Sequence, residues 1–357
     1  MNRSEFMEKL AAALKASQSD ETVQTLLADF NDHFDEALKA GQSEAEICAM
    51  LGDPAEIAAE CAEELSRDDA ALNDMPTDDA GVYISLDQMD LRCEACDGDE
   101  FRVEVRHNNK VVQDDTVTVK QTKHSLQVIQ MREQDFVRRL FHSFRFIEVY
   151  VRIPRRFAGD LSVKMTSGNA RIDGVSITGN LRCELTSGNM VALKVSAGGA
   201  LAAISRSGNI IIDSCQGDLS ADCHSGNIRV KAHKGNVLRA AATSGNVKVE
   251  AGCIEKDCAL AVTSGNVHID LDKLGADLNL ECRSGNIKFS VRELHGNITG
   301  KARSGNITGA LSRDTRAVFS LQSAGAHNPF PNAAIPDAGV PVVTLTSRSG
   351  NVNIKEL

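Results

Sequence analysis

The chain has no tryptophan, two tyrosines and twelve phenylalanines among its 357 residues, so aromatic side chains make up only 4%. That scarcity argues against sugar-stacking platforms and base-stacking surfaces. No P-loop, Gly-x-Ser-x-Gly or His-Glu-x-x-His motif occurs, which removes the common signatures of phosphate binding, nucleophilic hydrolysis and zinc proteolysis. No run approaches the ~18 uncharged apolar residues of a membrane-spanning helix. The opening MNRSEFMEKLAAALKASQSDE holds neither an apolar signal region nor a small-residue cleavage site. A cytoplasmic protein without a transmembrane segment is therefore expected. The formal charge of −10 and pI near 5.4 predict no specific nucleic-acid binding.

Ten cysteines without an export signal read as free thiols in a reducing compartment. Cys183, Cys223, Cys258 and Cys282 fall at positions that read as apolar, where cysteine acts as a small hydrophobe. Cys93 and Cys96 form the only Cys-x-x-Cys, and no second ligand pair follows at zinc-site spacing. Acidic residues at Asp173, Asp213, Glu250 and Asp270 resemble a calcium-binding roll, but Leu193, Lys231 and Ser290 occupy the equivalent places in other repeats. No cofactor, metal site or catalytic residue is expected.

What is abundant is a triplet. Ser-Gly-Asn occurs nine times, starting at Ser167, Ser187, Ser207, Ser225, Ser244, Ser264, Ser284, Ser304 and Ser349. The steps between them are 20, 20, 18, 19, 20, 20, 20 and 45 residues. A period this short means stacked supersecondary units. Inward residues flank each triplet at spacing two, as in Leu181/Cys183/Leu185 before it and Met190/Ala192 after it. Alternation of this kind places them on one face of a strand. We therefore expect a mainly β protein, a parallel β-solenoid of about ten coils, each with two strands and two corners. Rungs ~4.8 Å apart give a rod on the order of 50 Å long.

The triplet itself reads as a corner. The pairs Gly168-Asn169, Gly188-Asn189, Gly208-Asn209, Gly226-Asn227, Gly245-Asn246, Gly265-Asn266, Gly285-Asn286, Gly305-Asn306 and Gly350-Asn351 are structural turns. Glycine supplies the positive φ, and stacked asparagines can form an amide ladder. Ser323-Ala324-Gly325 is a degenerate copy, followed by a Pro-rich inserted loop at 326–341. The final strand around Val352-Asn353-Ile354 should leave an open edge, so a homo-oligomer paired through a solenoid end is one expectation.

Two columns beside the triplet are rich in cations. Arg206, His224, Arg283, Arg303 and Arg348 precede the serine, and Arg171, Arg229, Lys248 and Lys288 lie two places after the asparagine. They predict a basic ridge, stabilised either by the acidic column of Asp173, Asp213 and Asp270 or by an anionic partner. A second candidate contact is the basic amphipathic stretch at 131–146, with Phe136, Arg138, Arg139 and Phe144. An ordinary connecting helix is the competing reading.

Residues 1–65 carry helical periodicity: Phe6, Leu10 and Leu14 after a Ser4 cap, then Val23, Leu26, Leu27, Phe30, Phe34 and Leu38. Ser43 with Glu46 forms a capping box, and Gly52-Asp53-Pro54 stops one helix and starts the next. Residues 66–80, with five aspartates, read as an acidic linker before the strands begin at 81.

Ser4-Glu5-Phe6, Asp29…His33-Phe34 and Leu51-Gly52-Asp53-Pro54 together resemble the HAAS family (also DUF1700-like) over about residues 1–65. That resemblance implies a helical signalling module associated with helix-turn-helix regulators. Residues 81–357, including Val151-Arg152-Ile153-Pro154, resemble the DUF4097 family of adhesin-like β-strand repeats. Three functions follow as expectations. The first is a non-enzymatic bacterial signalling scaffold with a protein partner. The second is an adhesin-like or polyanion-binding protein, and the third a β-helix polysaccharide enzyme.

Overall fold

The structure is a computed structural model describing residues 2–15, 20–39, 41–58, 81–114, 116–130, 147–155, 157–331 and 339–357. The chain divides into a helical unit and a strand unit. The linker at 66–80 and the stretch containing Phe136, Arg138, Arg139 and Phe144 lie outside the described residues.

The helical unit contains α1 (Arg3–Leu14), α2 (Asp20–Lys39) and α3 (Glu44–Leu51). Their apolar stripes converge on Phe6, Phe30 and Phe34, all fully buried, with Leu10, Leu14 and Ile47 around them. The Phe6 ring meets Phe34 edge-on at 5.7 Å. Asn2 caps α1, not the expected Ser4: Asn2 Oδ1 accepts from Glu5 N at 2.9 Å, and Glu5 returns the bond. The reason is spacing, since Asn2 has an acidic residue three places on and Ser4 has Met7. The Ser43–Glu46 box forms as expected.

The strand unit is a parallel β-solenoid of about nine turns. In each coil a strand such as Leu181–Ser187 turns through Ser-Gly-Asn into a second strand such as Met190–Leu193. The expected two-sided coil is incomplete for the first half of the rod. Five places after the asparagine, Gly174, Lys194, Ser214 and Ala232 take φ between 49° and 66°. A left-handed residue there shifts the inward phase by one, so that Val175, Val195, Cys215 and His233 point inward and a short third side forms. From Val247 onward that place holds Ala251, Leu271, Val291 and Leu311, all buried, and the strand simply continues.

Both ends of the solenoid are threaded out of sequence order. At the first end, Gly81–Gln88 lies between Leu126–Gln130 and Asp160–Ser167, and Asp90–Cys96 lies between Ile147–Pro154 and Ala170–Asp173. Antiparallel partners, Lys110–Val112 and Val117–Gln121, flank this end. Asn108 and Asn109 make the tight turn into Lys110–Val112, with φ of 49° and 62°.

At the other end, Val342–Ser349 pairs with Ile298–Ser304 on one side and with Val318–Gln322 on the other. Asn351–Glu356 is likewise held between Ile307–Leu311 and Gly325–His327. The last coil in the chain is therefore the penultimate rung in space. The expectation of an open edge at Val352-Asn353-Ile354 is corrected: Val352 and Asn353 pair with Ala326 and His327. The outermost rung is the segment 318–327, with the Phe319 ring stacked on Phe330 at 5.7 Å. The 45-residue step is this detour.

Candidate interaction surface

The corners consume their own polar groups. Asn189 donates from its backbone N and its Nδ2 to Asn169 Oδ1, both at 3.1 Å. The same pair of bonds recurs at 3.0–3.3 Å through Asn209, Asn227, Asn246, Asn266 and Asn286. The ladder starts on a carboxylate: Asp90 Oδ1 accepts from Asn169 N at 2.7 Å. The triplet glycines from Gly188 to Gly305 each donate their N–H to the serine carbonyl of the next rung, as in Gly188 N to Ser207 O at 3.0 Å. These asparagine carbonyls are committed to neighbouring coils and are poor ligands for anything outside.

The cationic columns separate across that corner. In the column after the asparagine, Arg171 and Lys248 have acids two places further along the same strand, whereas Arg229 and Lys288 are followed there by Lys231 and Ser290. Arg171 pairs with Asp173 at 2.8 Å, and Lys248 with Glu250 at 2.6 Å. The Lys248 hydrogen bond is the main reason the Glu250 carboxyl lies below its ordinary pKa, with Arg229 contributing. Arg292 reaches Asp270 and Asp272 at 3.0 and 2.9 Å. Lys288 and Lys248 add to burial, the larger cause, in pushing His268 below the usual histidine value.

The column before the serine has no such compensation. Arg206, Arg283, Arg303 and Arg348 are exposed, and none forms an ion pair among the described residues. With His224 they line a shallow groove of about 1100 Å³ that crosses successive rungs from Lys164 to Arg348. Like charges on adjacent rungs repel, so three consecutive unpaired arginines are held at a cost. Midway along the groove the charges stop. Thr243 and Thr263 replace arginine, and the lining is Ala241, Ala242, Ala261 and Val262. On the rungs either side, Cys223 and Cys282 donate to Gly208 O and Gly265 O at 3.2 and 3.4 Å.

Three of the buried cysteines are unsuited to nucleophilic chemistry. Burial raises the Cys93 and Cys183 thiols far above the ordinary value and pushes Cys258 up to about 12. A thiol so raised is not a nucleophile at neutral pH. Among the described residues no cluster of three histidine, cysteine or acidic side chains could hold a metal ion.

Two features of this surface escape a reading of single columns. The neutral saddle emerges only when the residues three and two places before each serine are stacked, and the inward His233 only when the left-handed residue before it is known. His233 is fully buried, and neither ring nitrogen has a hydrogen-bond partner among the described residues. Burial holds its pKa below 6.5 against a weaker pull from the Gly217 and Cys215 backbone and Asp218.

A family model for HAAS matches residues 5–60. A model described as Toastrack DUF4097 matches residues 82–355. Comparison with curated proteins and with solved structures gives no significant match. The second family model spans most of the chain and coincides with the solenoid, so the chain belongs to the Toastrack DUF4097 family and carries a HAAS domain at its N-terminus.

Proposed function

We propose that this protein is a non-enzymatic signalling scaffold of a bacterial regulatory or envelope-stress pathway, working in the cytoplasm. The helical module contacts a regulatory protein, such as a helix-turn-helix regulator, while the solenoid presents a repeated surface to a further partner. The observation that carries this reading is the continuous groove beside unpaired arginines, on a rod whose corner amides are already used internally. Grooves that cross stacked repeats are the binding surfaces of solenoid proteins. The full chain, used as bait in its native host, should recover a DNA-binding regulator, and a chain lacking residues 1–65 should not. Recovery of no regulator, or recovery that survives the deletion, sinks the reading.

The unpaired cations also support a second reading, in which the solenoid binds an anionic polymer directly. Reversal of Arg283, Arg303 and Arg348 to Glu would then abolish a salt-dependent interaction.

A further inference from the structure

We propose that the groove beside the triplets takes an acidic amphipathic helix of a protein partner, lying along the solenoid axis. This deepens the scaffold reading and rests on it. Three properties of the groove lead there. First, its basic residues are grouped: Arg206 and His224 on the two rungs before the neutral stretch, and Arg283, Arg303 and Arg348 on three successive rungs after it, with Lys164 and Lys301 also in the lining. Second, the two rungs between them offer Ala241 and Ala261, small residues that let a helix approach closely. Third, the spacings agree. Rungs repeat every ~4.8 Å, and acidic side chains at i, i+4 and i+7 of a helix recur about every 5.4 Å. Over three rungs the mismatch is only about 1 Å, well within the reach of an arginine side chain.

A bare polyanion fits less well. Asp222 and Glu281 also line the groove and form no ion pair among the described residues, so they repel a uniformly negative chain. The neutral saddle would leave its central charges unpaired. A helix with apolar residues over Ala241 and Ala261, glutamates opposite the arginines and uncharged residues opposite Asp222 and Glu281 fits this mixed lining better than a uniform chain.

The test uses the full-length chain and a labelled synthetic peptide of about 24 residues, long enough to span the groove. Its central turns present leucine on one face, and glutamates flank them at four-residue spacing. Binding is read by fluorescence anisotropy against a scrambled peptide of equal composition and against polyphosphate. The helix should bind, and weaken with added salt. Arg283→Glu with Arg303→Glu, and separately Ala261→Lys, should each weaken it at least about tenfold. Arg229→Glu with Lys288→Glu, on the neighbouring side, should change it less than about twofold. All these side chains are at least partly exposed, and a circular dichroism melt checks that each variant folds. Failure of the helical peptide to bind, equal binding of the scrambled peptide, or insensitivity to Ala261→Lys overturns the proposal. Tight polyphosphate binding that ignores Ala261→Lys assigns the groove to a polymer instead. Regulator capture through residues 1–65 should survive both groove variants, so either proposal can fall alone.

Discussion

Individual residues of the repeat are under unequal constraint, and the triplet glycines carry the most. A Cβ built on Gly245 would stand 1.9 Å from Gly226 O, at a φ of +138°. Backbone cannot give way there without breaking the ladder. Gly245→Ala should therefore cost about 3 kcal/mol or more, read as a shift in the urea midpoint. Gly174 offers the control: its φ is +66° but nothing lies within 4 Å of the added carbon. Gly174→Ala should cost only about 1 kcal/mol.

His233 is the opposite case, a residue at odds with its column. Val175 and Val195 occupy the same inward place three and two coils earlier. The folded state keeps the imidazole neutral, with a pKa below 6.5. The unfolded chain binds the proton more readily, so stability is full above about pH 6.5 and falls as pH drops toward the lowered value. His233→Val should raise stability by about 1–2 kcal/mol and remove that part of the pH dependence, measured by thermal melts from pH 5 to 7.5.

At the level of elements, the asparagine ladder and the strand ladder reinforce one another. Asn246 receives from Asn266 and donates to Asn227, so Asn246→Ala strands partners on both sides. The groups are exposed to water, which softens the loss to about 1–2 kcal/mol in chemical denaturation. Asn351→Ala should change little, because what its position contributes is a backbone N–H to Asn306 Oδ1. A graded effect from middle to end would identify the ladder as one cooperative element. Equal effects at both positions would mean each corner acts alone. The helical module follows different rules: its capping boxes at Asn2–Glu5 and Ser43–Glu46 fix where helices begin, and the Phe6–Phe34 contact fixes how they meet.

At the level of the whole molecule, the swapped ends bear on whether a rod of parallel strands polymerises. Unpaired strand edges template association. Here the terminal rungs are short, as in Gly325–His327 and Lys110–Val112. Removing residues 342–357 should do more than shorten the rod. It would expose the edge of Ile298–Leu311 and release 318–327 from its only strand partners among the described residues. The truncated protein should form higher oligomers in light scattering while the parent does not. A monodisperse truncation product would show that the end rung is not a cap.

The nine triplets by themselves determined the solenoid, its corners and the inward columns, because a strand alternates side chains with period two and a stacked repeat copies that alternation in every coil. Capping chemistry in residues 43–57 was equally legible, being local. Only the tertiary structure decided the rest. Left-handed residues as unlike as Lys194, Ser214 and Ala232 build the third side, and no residue type announces that conformation. The order of the end rungs depends on pairing between segments far apart in the chain, which periodicity cannot express. The candidate site divides the same way. The cations were visible as columns, but a corner puts them on different sides of the coil. Acids two places along explain the pairs of Arg171 and Lys248, but which cations line one groove follows from that geometry.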